Sequence, residues 1–235
     1  MNTGKWSVLL AACAWFALPT HAEDRTVRGG YLLATQTGAV AKEYVGNGLN
    51  CASCHINAGR QANALPWTGI WGFYTEGGGQ GGSLKDKINE NFVRSLNGKP
   101  LPADSPEMRS LLAYIEWLSQ GAAPGAQVEG RGLPPLEQPA RKPDVAKGRL
   151  IYDEHCIACH GANGEGAPGI RGAPGYPPLW GDTSFGSGSS MARLNVAASF
   201  IKTNMPQRRP GILSDEQAYD VAAYVLSWPR PVTGP

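Results

Sequence analysis

Four of the five cysteines in this 235-residue chain fall in two copies of one pattern, Cys51-Ala52-Ser53-Cys54-His55 and Cys156-Ile157-Ala158-Cys159-His160. Two thiols at that spacing can form thioethers to both vinyl groups of one haem. The histidine that follows is then held under the iron as its proximal ligand. Two rival chemistries share part of the pattern. A zinc half-site would have to pair the two motifs across the chain, and a redox dithiol needs no following histidine. Two complete copies behind an export signal favour two covalently bound haem c groups.

A six-coordinate haem needs a second axial ligand, usually Met or His. Met205, in the run Phe200-Ile201-Lys202-Thr203-Asn204-Met205-Pro206, lies 45 residues past His160 and shortly before the last expected helix. Its thioether suits the second haem, with Met191 as the fallback. His155 directly precedes Cys156 and reads as a helix-end side chain. The first half differs. Met205 lies 19 residues before Tyr224, and 19 before the equivalent Tyr114 is Ser95. The window from Glu90 to Lys99 contains no Met, His or Cys. Asn91 is the member of that window placed to face a haem, and an amide is a weak ligand to ferric iron. Met108 is a rival ligand, but its place in the first turn of a helix suits core packing. The first haem is thus expected to be five-coordinate, water-bound or weakly ligated. Such an iron is open to substrate, whereas a saturated one relays electrons.

The elements around the motifs repeat as well. Ser105 with Pro106 starts one helix, and Ser214 with Gln217 forms a capping box for another. Leu111, Leu112, Ile115 and Leu118, and likewise Ala218, Val221, Ala222 and Val225, recur at helical spacing. A helix is expected before each motif, at residues 31–44 and 145–152. A further helix over residues 83–96 carries Leu84, Ile88, Phe92 and Leu96 on one face, with Asn91 beside it. The fold class is therefore mainly α: two class I cytochrome c domains, residues 23–120 and 144–235. The Pro- and Gly-rich stretch 121–143 joins them as a linker. Each half has only about 100 residues, so the haem has to supply much of the apolar core.

Lys plus Arg is 21 and Asp plus Glu is 19, a formal net charge of +2, which gives no reason to expect a nucleic acid partner. Residues 1–22 read as a cleaved export signal, with an apolar stretch from Trp6 to Leu18 too short to span a bilayer and a small-residue exit ending at Ala22. The expected location is periplasmic. Leu10-Ala11-Ala12-Cys13 offers a lipoprotein anchor as the minor alternative.

Longer strings resemble the dihaem thiosulfate dehydrogenases, also called tetrathionate synthases. They include Tyr44-Val45-Gly46-Asn47, Asn57-Ala58-Gly59, Arg94-Ser95-Leu96-Asn97-Gly98-Lys99-Pro100-Leu101, Asp104-Ser105-Pro106-Glu107-Met108, Met191-Ala192-Arg193-Leu194 and Ala218-Tyr219-Asp220-Val221-Ala222-Ala223-Tyr224. The resemblance implies oxidation of two thiosulfates to tetrathionate at the first haem, with electrons leaving through the second. It also implies a distal Cys on the first haem. That position falls at Asn91 here, and an amide in place of a thiolate raises the first haem's potential. The family can show a Lys beside the distal Met of the second haem, where this chain has Asn204. Thiosulfate is a dianion, so Arg94, Lys99 and Arg60, with the Ser95 hydroxyl, are the expected substrate contacts. Trp67, Trp71 and Phe73 are expected to pack the first haem's edge. Arg208 and Arg209 offer a docking face for a soluble or membrane-bound electron acceptor such as another cytochrome. A non-catalytic dihaem electron carrier is the runner-up reading. The glycine-rich run 77–82 reads as a loop, since it has no phosphate-cradle context.

Overall fold

The computed structural model describes residues 21–75, 82–123, 128–169 and 175–233. Nearly all of the expected export signal, Cys13, and most of the glycine-rich run lie outside the described residues. Six helices carry the fold: α1 (His21–Thr35), α2 (Leu84–Arg94), α3 (Pro106–Leu118), α4 (Val145–His155), α5 (Leu194–Asn204) and α6 (Asp215–Leu226). Shorter helical turns join them. Among the described residues the only β pairing is an isolated bridge between Ala167 and Tyr176.

The helix starts follow from their caps. Ser105 Oγ accepts from Met108 N, and Pro106 occupies the first turn of α3. At α6, Ser214 and Gln217 exchange hydrogen bonds between side chain and backbone, and Ser83 and Asp86 do the same at α2. The apolar face of α2 is as expected, with Leu84, Ile88 and Phe92 buried and Leu96 buried just past its end. The buried face of α3 is rotated from the expected one. Met108, Leu111, Tyr114 and Ile115 are inside, whereas Leu112 and Leu118 sit at its edge. Tyr114 joins the core although its hydroxyl is polar, because that hydroxyl donates to Ala58 O at 2.9 Å. The helix expected over 31–44 begins earlier and ends at Thr35, where Thr37 Oγ1 turns back to donate to Leu33 O. A short turn, Thr37–Val40, and a 3-10 turn, Lys42–Tyr44, follow it.

Each half is closed by its first and last helices, and in each a glycine sets the crossing. A Cβ on Gly30 of α1 would lie 2.1 Å from Ser110 O and 2.5 Å from Tyr114 Cβ of α3. A Cβ on Gly148 of α4 would lie 2.0 Å from Asp220 O and 2.9 Å from Tyr224 Cβ of α6. The repeat detected through the two tyrosines is thus a repeat of one helix contact. Gly148→Ala forces α4 and α6 apart. It is expected to cost about 1–3 kcal/mol or more, as overpacking does, read as a lowered thermal midpoint of the holoprotein.

The segment 128–143 is pinned to both halves. Gly130 O accepts from Asn63 N at 2.7 Å, Pro134 O from Ser199 Oγ at 2.7 Å and Leu136 O from Tyr219 OH at 3.3 Å. Arg141 forks onto Asp220 at 2.9 and 2.7 Å, and Asp144 N adds a third hydrogen bond to that carboxylate at 2.7 Å. Burial alone would push the Asp220 carboxyl up. The hydrogen bonds from Arg141 and Asp144 outweigh it and hold the group below its usual range. The sign of the linkage follows. A depressed folded pKa contributes stability that is complete above the ordinary value of about 3.9 and is lost as pH falls through the lower folded value. Asp220→Asn is expected to lower stability at pH 7 by about 1–3 kcal/mol and to flatten the loss of stability in acid, as denaturant titrations across pH would read.

The halves share a core. The cluster built on Leu33, Phe92, Met108 and Tyr114 continues into Phe185, Met191 and Phe200 of the second half. Asn47 Nδ2 donates across the boundary to Ser184 O at 2.9 Å as well as to Ser95 O at 2.8 Å, and Gly48 N donates to Thr183 O at 2.9 Å.

Candidate haem and substrate sites

Each C-x-x-C-H motif places its histidine in a different cavity, and Cys54 of the first motif lies on the wall of both. The first, of about 350 Å³, is lined by Cys51, Cys54 and His55 together with Trp67, Phe73, Leu111 and Ile115. The second, of about 500 Å³, is lined by Cys156, Cys159 and His160 together with Tyr152, Leu179, Val221 and Met205. Both volumes lie in the range of about 300–1,000 Å³ usual for cofactor sites.

The motifs are positioned in parallel ways. His55 Nδ1 donates to Leu65 O at 2.5 Å, and His160 Nδ1 donates to Pro177 O at 2.9 Å. These bonds fix the tautomer and leave Nε2 of each imidazole for iron. Burial holds both imidazoles below their ordinary pKa, in the neutral form a metal needs. Trp67 packs 4.8 Å from His55 and edge-on to Tyr114 at 6.2 Å. Trp180 packs edge-on to Tyr224 at 5.8 Å in the second half.

The donor chemistry fits haem c and neither rival. A redox dithiol needs a depressed thiol pKa. Here burial, reinforced by the partner thiol, pushes Cys54 up to about 12 and Cys156 up to about 12. A zinc site would draw the thiols and imidazoles of both motifs into one cluster, whereas the second cavity takes only Ala52, Ser53 and Cys54 of the first motif into its wall and leaves His55 outside its lining. Among the described residues no three His, Cys, Asp or Glu side chains gather as a metal site requires. What each cavity does receive from its own motif is two thiols and one imidazole aimed by its backbone bond, set among aromatic walls.

The expected ligand residues divide between the cavities. Met205 lines the second, next to the backbone exit from α5. Met191 lines both cavities, forming part of the wall between them. Met108 is fully buried core, and His155 lines the second cavity from the end of α4. Asn91 lines the first cavity, but both ends of its amide are engaged along its own helix. Nδ2 donates to Lys87 O at 2.9 Å, and Oδ1 accepts from Ser95 Oγ at 3.3 Å.

Of the residues expected from sequence to contact substrate, Ser95 lines the first cavity and the three cations do not. Arg60, Arg94 and Lys99 are not among the described residues that line the first cavity. The Arg60 guanidinium lies 5.6 Å from the ring centroids of Tyr31, Tyr114 and Trp117, on the outer side of the first half. Arg94 is held by Glu90 at 3.0 Å and Lys99 is exposed. The cations that do line the cavity are Lys87 and Arg131. Lys87 lies one turn before Asn91, a spacing legible in the sequence. Glu90, 2.9 Å away, holds the Lys87 ammonium above its ordinary pKa, so it stays charged at neutral pH. Arg131 comes from the segment 128–143, a strap tied to both halves, and lies 3.9 Å over the Phe73 ring, a contact no local pattern announces. Ser95 lines the cavity as expected, joined by Ser189 and Ser190 of the second half, and Ser95 Oγ is 3.1 Å from Ser189 Oγ. Trp67 and Phe73 line it too, whereas Trp71 packs on the core beside it. No Lys or Arg is among the described residues lining the second cavity. Arg208 and Arg209 are exposed beyond Met205.

Comparison with known proteins agrees with this architecture. The cytochrome c family model matches residues 145–229. A thiosulfate dehydrogenase of Stutzerimonas stutzeri is 42% identical over 217 residues, 91% of this chain and 70% of that protein. One from Allochromatium vinosum is 41% identical over 233 residues, 96% of this chain and 86% of that protein. Among solved structures, thiosulfate dehydrogenase from Marichromatium purpuratum superposes with a TM-score of 0.83 at 35% identity, over 92% of this chain. This chain spans 48% of that longer chain.

Proposed function

The chain belongs to the thiosulfate dehydrogenase family, and from that premise we propose that it is a periplasmic enzyme that couples two thiosulfates into tetrathionate beside its first haem and passes the electrons out through its second. One asymmetry carries this division of labour. Cations line the first cavity beside Asn91, whereas the second has no Lys or Arg among its described lining and has Met205 instead.

Two covalently bound haem c groups supply one-electron acceptors, attached through Cys51 and Cys54 with His55, and through Cys156 and Cys159 with His160. The remaining chemistry falls to side chains of the chain. Lys87 and Arg131 hold the thiosulfate dianion, since both line the cavity and no acidic side chain is among its described lining, with Glu90 paired to Lys87 at 2.9 Å from beside it. Ser95, Ser189 and Ser190 offer hydroxyl donors to its sulfonate oxygens, leaving the outer sulfur for reaction. Trp67 and Phe73 close the apolar side and limit the water that competes with those contacts. One sulfur–sulfur bond forms between two thiosulfates, two electrons leave, and no proton moves. Asn91 contributes a neutral amide where the family resemblance implies a thiolate, so this site works without a cysteine adduct. Met205, which lines the second cavity with His160, would supply a thioether to the iron of a haem held there and complete an electron-relay centre in the half spanning residues 144–235. Arg208 and Arg209 present positive charge nearby to an acceptor such as another cytochrome.

The test uses purified holoprotein. Thiosulfate is added anaerobically to the oxidised form, haem reduction is followed optically and tetrathionate is assayed. Reduction with about one tetrathionate per two electrons is expected. Intact haems that stay oxidised across a broad pH range would leave the chain as an electron carrier.

A further inference from the structure

We propose that Gln61 and Asn204 form a bridge between the halves that positions Met205, so that ligation in the second haem site depends on the loop beside the first. The inference rests on the assignment of Met205 as an iron ligand made above.

Asn204 ends α5 and is 1% exposed. Its carboxamide is satisfied entirely by the other half: Oδ1 accepts from Gln61 Nε2 at 2.9 Å, and Nδ2 donates to Asn63 O at 2.9 Å. A buried amide so paired has one favoured orientation, because turning it over would set donor against donor and acceptor against acceptor. Both partners belong to the loop that follows His55. That loop is held independently of Asn204. Asn63 N donates to Gly130 O, Leu65 O receives the His55 bond, and Asn63 and Leu65 both take left-handed backbone angles, φ 59 and 54. The loop is therefore the fixed side of the bridge and the end of α5 the side it holds. Met205 is the next residue, where the backbone turns extended at φ −121 and ψ 148 and its side chain reaches the second cavity. A neutral thioether is a weak ligand whose hold on iron depends on being held in place. The bridge supplies that placement, and it makes the residue beside the methionine a hydrogen-bonding anchor.

Gln61→Met removes the donor at nearly constant volume. The holoprotein is oxidised, and imidazole is titrated against the far-red charge-transfer band that a methionine–iron bond gives ferric haem c. Met205→Ala is expected to abolish the band. Gln61→Met is expected to lower the imidazole concentration that bleaches it by about fivefold, the effect of one buried hydrogen bond. It should also lower the second haem's midpoint potential, since methionine ligation raises it. Asn204→Ala should do the same, and the double variant should go little further than either alone. A band that survives Met205→Ala overturns the ligand assignment and the proposal with it. A band lost in Met205→Ala but bleached at unchanged imidazole concentration in Gln61→Met, even with a lowered thermal midpoint, overturns the bridge alone.

Discussion

Replacing Lys87 or Arg131 with alanine is expected to lower kcat/KM for thiosulfate about 10- to 100-fold for each residue, the usual effect of losing one charge-assisted contact worth about 1.5–3 kcal/mol. These are the two cations among the described residues on the first cavity's wall. Most of the loss should appear in KM, because a dianion keeps its charge while it approaches and binds. The effect should shrink as ionic strength rises, since the cavity is open to solvent and salt screens its charges. Lys87→Glu should be worse than Lys87→Ala, because it adds repulsion beside Glu90. Arg94→Ala gives the contrast. Its guanidinium pairs with Glu90 and does not line the cavity, so its removal should change kcat/KM by less than about threefold, the scale of an exposed ion pair. Steady-state kinetics at two salt concentrations would read all four variants. Equal losses for Arg94→Ala and Lys87→Ala would return the substrate site to the helix end that the sequence pattern favoured.

Asn91→Cys is expected to lower the first haem's midpoint potential and to make its iron less accessible to carbon monoxide and small anions. Asn91 lines that cavity, and a cysteine there can bind iron as a thiolate, an anionic donor that stabilises the ferric state. Each fall of about 59 mV in a one-electron couple costs tenfold in the equilibrium for accepting an electron. A drop of that size or more should slow thiosulfate-driven reduction by about tenfold and favour the reverse, tetrathionate-reducing direction. The second haem should keep its potential, because Met205 and His160 line a different cavity. Spectropotentiometry resolves the two couples. A first-haem potential that is unchanged while a new thiol titrates as free would mean that the residue 91 side chain cannot reach the iron. Its present engagement with Lys87 O and Ser95 Oγ would then be the whole of its role.

Much of this protein was legible in the chain because the relevant physics is local. The thioether spacing of each motif, the caps at Ser83, Ser105 and Ser214, and the apolar period of α2 all act over a few residues, and each appears where its residues predict. The repeated tyrosines at 114 and 224 could be aligned by counting alone, although the reason for their recurrence could not. It lies in Gly30 and Gly148, whose missing side chains let two helices distant in sequence touch. The distance of Met205 from the motif and the last helix points it at the second cavity, which it lines. Lys87 is legible in principle, one helical turn from Asn91, whereas Arg94 and Lys99 belong to the resembling string at the helix end and lie outside the described cavity lining.

What remained was decided by contacts between segments far apart in the chain. Arg131 enters the first cavity because the strap carrying it is tied to Asn63 on one side and Ser199 on the other, and nothing around residue 131 specifies that path. Ser189 and Met191 reach the first cavity from the second half because the two halves share a core through Phe185 and Phe200. Asn204 looked from sequence like a departure beside a ligand, and only the fold gives its amide Gln61 and Asn63 as partners. The chain by itself determined which groups can bind haem, since covalent attachment needs thiols at one fixed spacing. Tertiary structure decided which charges line the first cavity and which residues hold Asn204 beside Met205, because those depend on where loops without periodicity come to rest.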